Sequence, residues 1–193
     1  MRDADGATGG HWEDADTHEE RREVAEYALL GLLREGPQHG YGLAAAFAPE
    51  GRLGIALRLR MSQMYAYLGK LERQGLLTAR DEMSASSHRA RRVFTLTEAG
   101  VHAFDAWLTA PVEATREVRL AFLLKLAFTL DDPPTALALL ERQRAATAAW
   151  LARQRARADH ATSGAPPSLA LLTLRHRILL SEATLAWLDE TAT

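Results

Sequence analysis

A chain of 193 residues, 47% of them hydrophobic, can bury a core as one domain or two small ones. It has no cysteine, which excludes a disulfide framework, a thiolate nucleophile and a cysteine-based redox sensor. No apolar run reaches the roughly 18 residues a membrane span needs, and no basic, apolar, small-residue order marks a secretory leader, so the expected location is cytoplasmic, with no membrane partner.

The net charge of −2 hides an asymmetry. Residues 1–26 hold nine acids against Arg2, Arg21 and Arg22, whereas residues 52–92 hold nine bases against Glu72, Asp81 and Glu82. Attraction to phosphate follows the local field rather than the sum, so the second block is a candidate nucleic-acid surface.

Residues 1–21 are acidic, rich in Gly and Thr and without apolar periodicity, and read as a disordered tail. His11 and His18 match no metal-ligand spacing. A first domain is expected over 22–110. It opens with a helix from Arg22 to Glu35, striped by Val24, Ala28, Leu29, Leu32 and Leu33 and broken at Gly36-Pro37. The turn GPQHGYG leads into a short helix that starts near Gly40-Tyr41, where unpaired amides are donors for a phosphate. His39 has no nucleophile or carboxylate pair beside it and reads as a turn residue.

The stretch Arg58–Leu77 is the centre of the pattern. Met61, Met64, Leu68 and Leu71 give it an apolar back, with Tyr65 at the edge, and Gly75 ends it. Ser62, Gln63, Ala66, Gly69, Lys70 and Arg73 form a small, hydrogen-bonding, basic front, the composition that fits a major groove. Arg58 and Arg60 precede it. Three short helices with tight turns make a helix-turn-helix. A strand from Leu76 to Asp81, a mobile serine-rich tip and a returning strand RRVFTL then make a wing, whose His88, Arg89, Arg91 and Arg92 are candidates for phosphate or the minor groove. Thr97 is placed to cap a helix from Glu98 to Leu108, which Pro111 closes.

A second domain is expected over 111–193. The helix Glu117–Thr129 is apolar nearly all round, so Leu120, Leu123 and Leu124 are expected against a second subunit. A long helix runs from Asp131-Asp132-Pro133-Pro134 to about Ala158. After the break at SGAPP, a last helix from Ser168 to Glu190 repeats a three-four spacing at Leu169, Leu172, His176, Leu179 and Ala183. Two such helices read as an antiparallel pair with too much apolar surface for a monomer. His176 reads as a histidine of that packed stripe rather than a metal ligand. Trp107, Phe122, Phe128, Trp150 and Trp187 are either core or the walls of a cavity for a small aromatic effector.

Taken in order, EYALLGLL, GPQHGYGL, SQMYAYLGKLERQGLL, RRVFTLTEAG and LLKLAF make the span from Glu26 to about Glu190 resemble the PadR family of bacterial transcriptional regulators, in the subgroup with a longer C-terminal domain. Tyr65, Leu68, Leu71, Glu72, Gly75 and Leu76 stand in phase with that pattern, as do Thr97-Glu98-Ala99-Gly100. The resemblance implies a mainly α fold: a winged helix-turn-helix domain with a short β-hairpin wing plus a C-terminal helical dimerisation domain. It implies a homodimeric repressor on double-stranded DNA, at a pseudo-palindromic operator, released by a small molecule or another signal. It places Ser62, Gln63 and Tyr65 at the groove-facing helix start and Tyr41 at the short-helix tyrosine. Where relatives often carry Ser or Thr before the third helix this chain has Arg60, so the cap is Ser62 or missing. The competing reading, a winged-helix protein adaptor without DNA binding, is disfavoured by the basic block. No nucleophile turn, phosphate loop or metal cluster supports an enzyme, and nothing in the sequence calls for a cofactor.

Overall fold

The computed structural model describes residues 11–83, 90–113, 115–161 and 168–192. The chain divides into two compact units: one holds the residues up to Gly51 together with Leu57–Phe104, the other Arg52–Ala56 with Asp105–Thr193. The division thus falls inside a helix, earlier than the proline-marked junction at 110. It also assigns the loop residues Arg52–Ala56 to the second unit.

The first unit runs α1 (His11–Arg34), β1 (Gln38–His39), α2 (Gly40–Ala46), α3 (Met61–Arg73), β2 (Leu77–Met83), β3 (Ala90–Leu96) and the start of α4 (Glu98–Thr109). Its core is the apolar side of α1 (Val24, Ala28, Leu29, Leu32) closed by Leu43, Met64, Leu68, Leu71 and Phe94. Burying side chains of this size from three helices and a sheet supplies most of the driving force for this small unit.

Helix α1 begins at His11, which corrects the expected tail over residues 11–21, while residues 1–10 lie outside the described residues. Apolar periodicity is absent there, so the pattern misses it. Acidic residues near a helix N-terminus suit its dipole, and Arg22 pairs with Glu19 and Glu26 one turn to either side. Helix α3 starts at Met61, not Arg58, and Met61 is 44% exposed, so the buried stripe begins at Met64. Arg60 takes the N-cap position, and its backbone N–H donates to Gln63 Oε1 at 3.1 Å, one half of a capping box. Gly75, at φ 73°, ends the helix in the left-handed region that glycine enters without strain.

The sheet has the order β1-β3-β2, all antiparallel, with Leu77 opposite Leu96 and Gln38 opposite Phe94. The two-residue β1 is too short to register as a period-2 pattern and was not expected. Gln38 holds it in place by donating Nε2 to the Leu32 carbonyl at 2.9 Å. Thr97 caps α4 as expected: its hydroxyl accepts from Gly100 N at 3.1 Å and donates to the Gly75 carbonyl at 2.8 Å.

The second unit contains the end of α4, α5 (Thr115–Glu117), a π-helical turn (Val118–Phe122), α6 (Leu123–Ala127), α7 (Pro133–Ala161) and α8 (Leu169–Thr191). Asp132 caps α7 through Thr135 N, and Ser168 caps α8 through Leu171 N. Arg144 pairs with Asp189 and Arg155 with Glu182, which fixes α7 and α8 as antiparallel. Within the apolar segment, Lys125 is 2% exposed. Its Nζ donates to the Ala110 carbonyl at 2.5 Å and sits 4.9 Å from the Trp107 ring centroid. Nearby, Arg52 donates to the Ala127 carbonyl at 2.8 Å and covers the Phe128 ring.

Candidate nucleic-acid interface

Packing Met64, Leu68 and Leu71 into the core turns the opposite face of α3 outward. Ser62, Gln63, Tyr65 and Ala66 are all exposed there, as are Arg73 near the C-terminus and Arg58 and Arg60 before the N-terminus. Small side chains at Ser62 and Ala66 leave room for a groove floor, and the serine hydroxyl can pair with any base edge.

Beside this face lies a concavity of about 690 Å³ lined by His39, Gly40, Tyr41, Gly42, Tyr65, Arg91 and Arg92. It gathers residues from β1, α2, α3 and the wing, and four of them (Tyr41, Tyr65, Arg91 and Arg92) are predicted from the sequence. Tyr41 is 80% exposed, which an apolar ring in a monomeric core would not be. Tyr65 is held from two sides. Its ring meets Phe94 at 6.3 Å between centroids, and its hydroxyl lies so close to Gly40 that a Cβ there would come within 2.2 Å of it.

The basic residues are not equivalent. Lys70 is anchored by Glu26, at 2.7 and 2.8 Å to the two carboxylate oxygens, and its partner carboxylate is almost buried. The pair joins α3 to α1. The same cluster pushes the Tyr27 phenol pKa up, first by burial and then through Glu23 and Glu26. Arg92 pairs with Glu72 of α3 at 2.6 Å and covers the Phe94 ring, so the wing is tied to the helix it accompanies. Arg91 stands opposite Glu82 in the strand register but, like Arg58, Arg60 and Arg73, forms no ion pair among the described residues. Gln63 keeps its Oε1 on the Arg60 amide, which leaves its amide NH₂ as the group facing outward chemistry. His88 and Arg89 lie outside the described residues. Glu26, Glu72 and Phe94 were missed by sequence reasoning, since only the fold brings them against Lys70, Arg92 and Tyr65.

The five aromatic residues read as effector walls make separate contacts. Phe122 is buried and meets Trp187 edge-on at 6.1 Å, Trp107 lies under Lys125, Phe128 under Arg52 and Trp150 under Arg153. Of the residues read as a dimer face, Leu124 is fully buried and Leu120 is half-buried, in and beside the π-helical turn. Leu169 and Leu179, 81% and 63% exposed, stand with Leu172, His176 and Ala183 on an open stripe of α8, while Leu171, Ser181 and Leu188 face inward.

Residues 29–106 match the model of the transcriptional regulator PadR-like family. The chain carries a PadR-like transcriptional-regulator domain. Residues 118–193 match the virulence activator alpha C-terminal model, so the longer C-terminal region is also a recognised module. The negative transcriptional regulator PadR of Bacillus subtilis (strain 168) is 33% identical over 105 residues, which span 54% of this chain and 56% of that relative. The chain is also similar to the crystal structure of Bacillus subtilis PadR with operator DNA, at 26% identity over 87% of this chain and 97% of that one, with a TM-score of 0.44. The structure of the same protein with p-coumaric acid matches at 26% identity over 89% and 94%, with a TM-score of 0.41. The PadR-like family is one of transcriptional regulators, not of enzymes. No helix among the described residues is long and apolar enough to cross a membrane.

Proposed function

We propose that this PadR-like chain is a sequence-specific DNA-binding repressor that acts as a homodimer in the cytoplasm and is released by a small molecule. The observation that carries the reading is the convergence of Tyr41, Tyr65, Arg91 and Arg92 on one concavity beside the exposed face of α3. Such a surface offers base-reading groups on a helix and phosphate-binding groups on either side of it. In this reading Ser62, Gln63 and Ala66 meet base edges in the major groove, and Tyr41, Tyr65, Arg58, Arg60, Arg73 and Arg91 contact the backbone. The open stripe of α8 at Leu169, Leu172, His176, Leu179 and Ala183 pairs with a second copy, which sets the distance between two α3 helices.

The B. subtilis relative solved with operator DNA supports the partner class, and its p-coumaric acid complex supports a ligand-responsive regulator. Selection of bound duplexes from random sequence tests the proposal. It should return a two-fold symmetric motif with half-sites about one helical turn apart, roughly 34 Å. Recovery of no motif, or of an asymmetric single half-site, would contradict it.

A further inference from the structure

Helix α3 carries one acid, Glu72, in its last turn. A carboxylate there opposes the negative end of the helix dipole. Close to a surface meant for phosphate it also repels the partner. Its placement is explained by what it touches. Arg92 Nη2 donates to Glu72 Oε2 at 2.6 Å. The two side chains are 52% and 32% exposed, so the pair adds little to folding stability. The guanidinium also lies 5.8 Å from the Phe94 ring centroid, and Phe94 in turn meets Tyr65 of α3 at 6.3 Å. A carboxylate and a ring thus fix Arg92 together.

The location of the pair gives it a second consequence. Arg92 lines the concavity beside α3 together with Arg91, Tyr41 and Tyr65. Arg91, its neighbour in β3, forms no ion pair among the described residues. Two adjacent arginines on one surface therefore differ: one presents its charge, and the other has it offset by a carboxylate. Phosphates carry no sequence information, so each unrestrained cation at such a surface strengthens binding to all duplexes alike. A wing held in register with α3 instead favours the duplexes that α3 can read.

We propose that Glu72 is a specificity-determining residue, which withholds the Arg92 charge from phosphate and fixes the wing against α3. The effect on sequence choice rests on the reading of this surface as DNA-binding, but the restraint of Arg92 does not. The test compares the full chain with Glu72→Gln, Arg92→Gln and the double variant. Each is measured on heparin (a polyanion without bases), on a selected duplex and on a scrambled duplex of equal length. At about 150 mM salt Glu72→Gln should bind the scrambled duplex about fivefold tighter for each wing that gains a phosphate, with a salt slope steeper by about 0.9. Heparin affinity should rise by a similar factor. Both gains should fall below about twofold when Arg92 is already Gln, since the group released is then absent. Preference for the selected over the scrambled duplex should drop at least about threefold. A merely structural role predicts the opposite sign, weaker binding to every polyanion. An equal heparin gain in both backgrounds would reduce the effect to net charge and overturn the restraint. An unchanged ratio of selected to scrambled affinity would overturn the role in specificity. An Arg92-dependent gain on heparin in a chain that binds no duplex would uphold the restraint and sink the DNA-binding reading instead.

Discussion

The carboxylate of Glu26 grips the ammonium of Lys70 at 2.7 and 2.8 Å, joining α1 to the helix that presents the candidate DNA-reading face. Lys70 is therefore expected to be a structural residue. Lys70→Met would leave a nearly buried carboxylate without its partner, lowering stability by about 1–3 kcal/mol. Urea denaturation should show that loss, while the slope of DNA affinity against salt stays as in the parent chain. Unchanged stability with a slope reduced by about 0.9 per lost phosphate contact would instead make Lys70 a DNA contact.

Gln63 is committed to the start of α3 through the Arg60 amide. Gln63→Ala should therefore destabilise the chain by about 1 kcal/mol, as loss of a capping interaction does. It should also broaden sequence preference less than Ser62→Ala does. Parallel denaturation curves and binding to a panel of single-base operator variants would separate the two effects. A sharp loss of discrimination at one base pair in Gln63→Ala, with stability unchanged, would assign the residue to base readout alone and remove its capping role.

Much of this arrangement was legible in the sequence. Met64, Leu68 and Leu71 at helical spacing, with Gly75 behind them, define α3 because burial follows period and a left-handed stop needs glycine. Thr97 announced its cap in the same local way. Features that depend on distant chain segments were not legible. Lys70 and Arg92 looked like phosphate ligands because their partners, Glu26 and Glu72, are distant in sequence. Leu124 looked like interface because an apolar segment does not announce which of its side chains the fold buries. The beginning of α1 was missed because no apolar stripe marks residues 11–21.

Gly40 leaves space for the Tyr65 hydroxyl, where a Cβ would lie 2.2 Å away. Gly40→Ala should push the tyrosine from its place and weaken DNA binding. The same substitution in a Tyr65→Ala background should add little, since the group it displaces is already gone. A double-mutant cycle on operator affinity checks this, and fully additive losses would rule out action through Tyr65.

The outer stripe of α8 predicts assembly. Leu179→Glu and Leu172→Glu each place a charge on an exposed apolar face without touching Leu171 or Leu188 inside the unit. Sedimentation analysis at micromolar concentration should find a dimer for the parent chain and a monomer for each variant. Persistence of the dimer in both would move the interface elsewhere.

The most direct measurement is the salt dependence of affinity for a selected duplex, by fluorescence anisotropy, for the parent chain and for Arg91→Glu. A dimer neutralising six to ten phosphates should lose roughly 10³ to 10⁵ in affinity between about 50 and 200 mM salt. Arg91, exposed and without an ion pair among the described residues, should account for part of that slope, so its reversal should weaken binding and flatten the dependence. A parent chain whose affinity does not change with salt, or an Arg91→Glu variant that binds like the parent, would contradict the account.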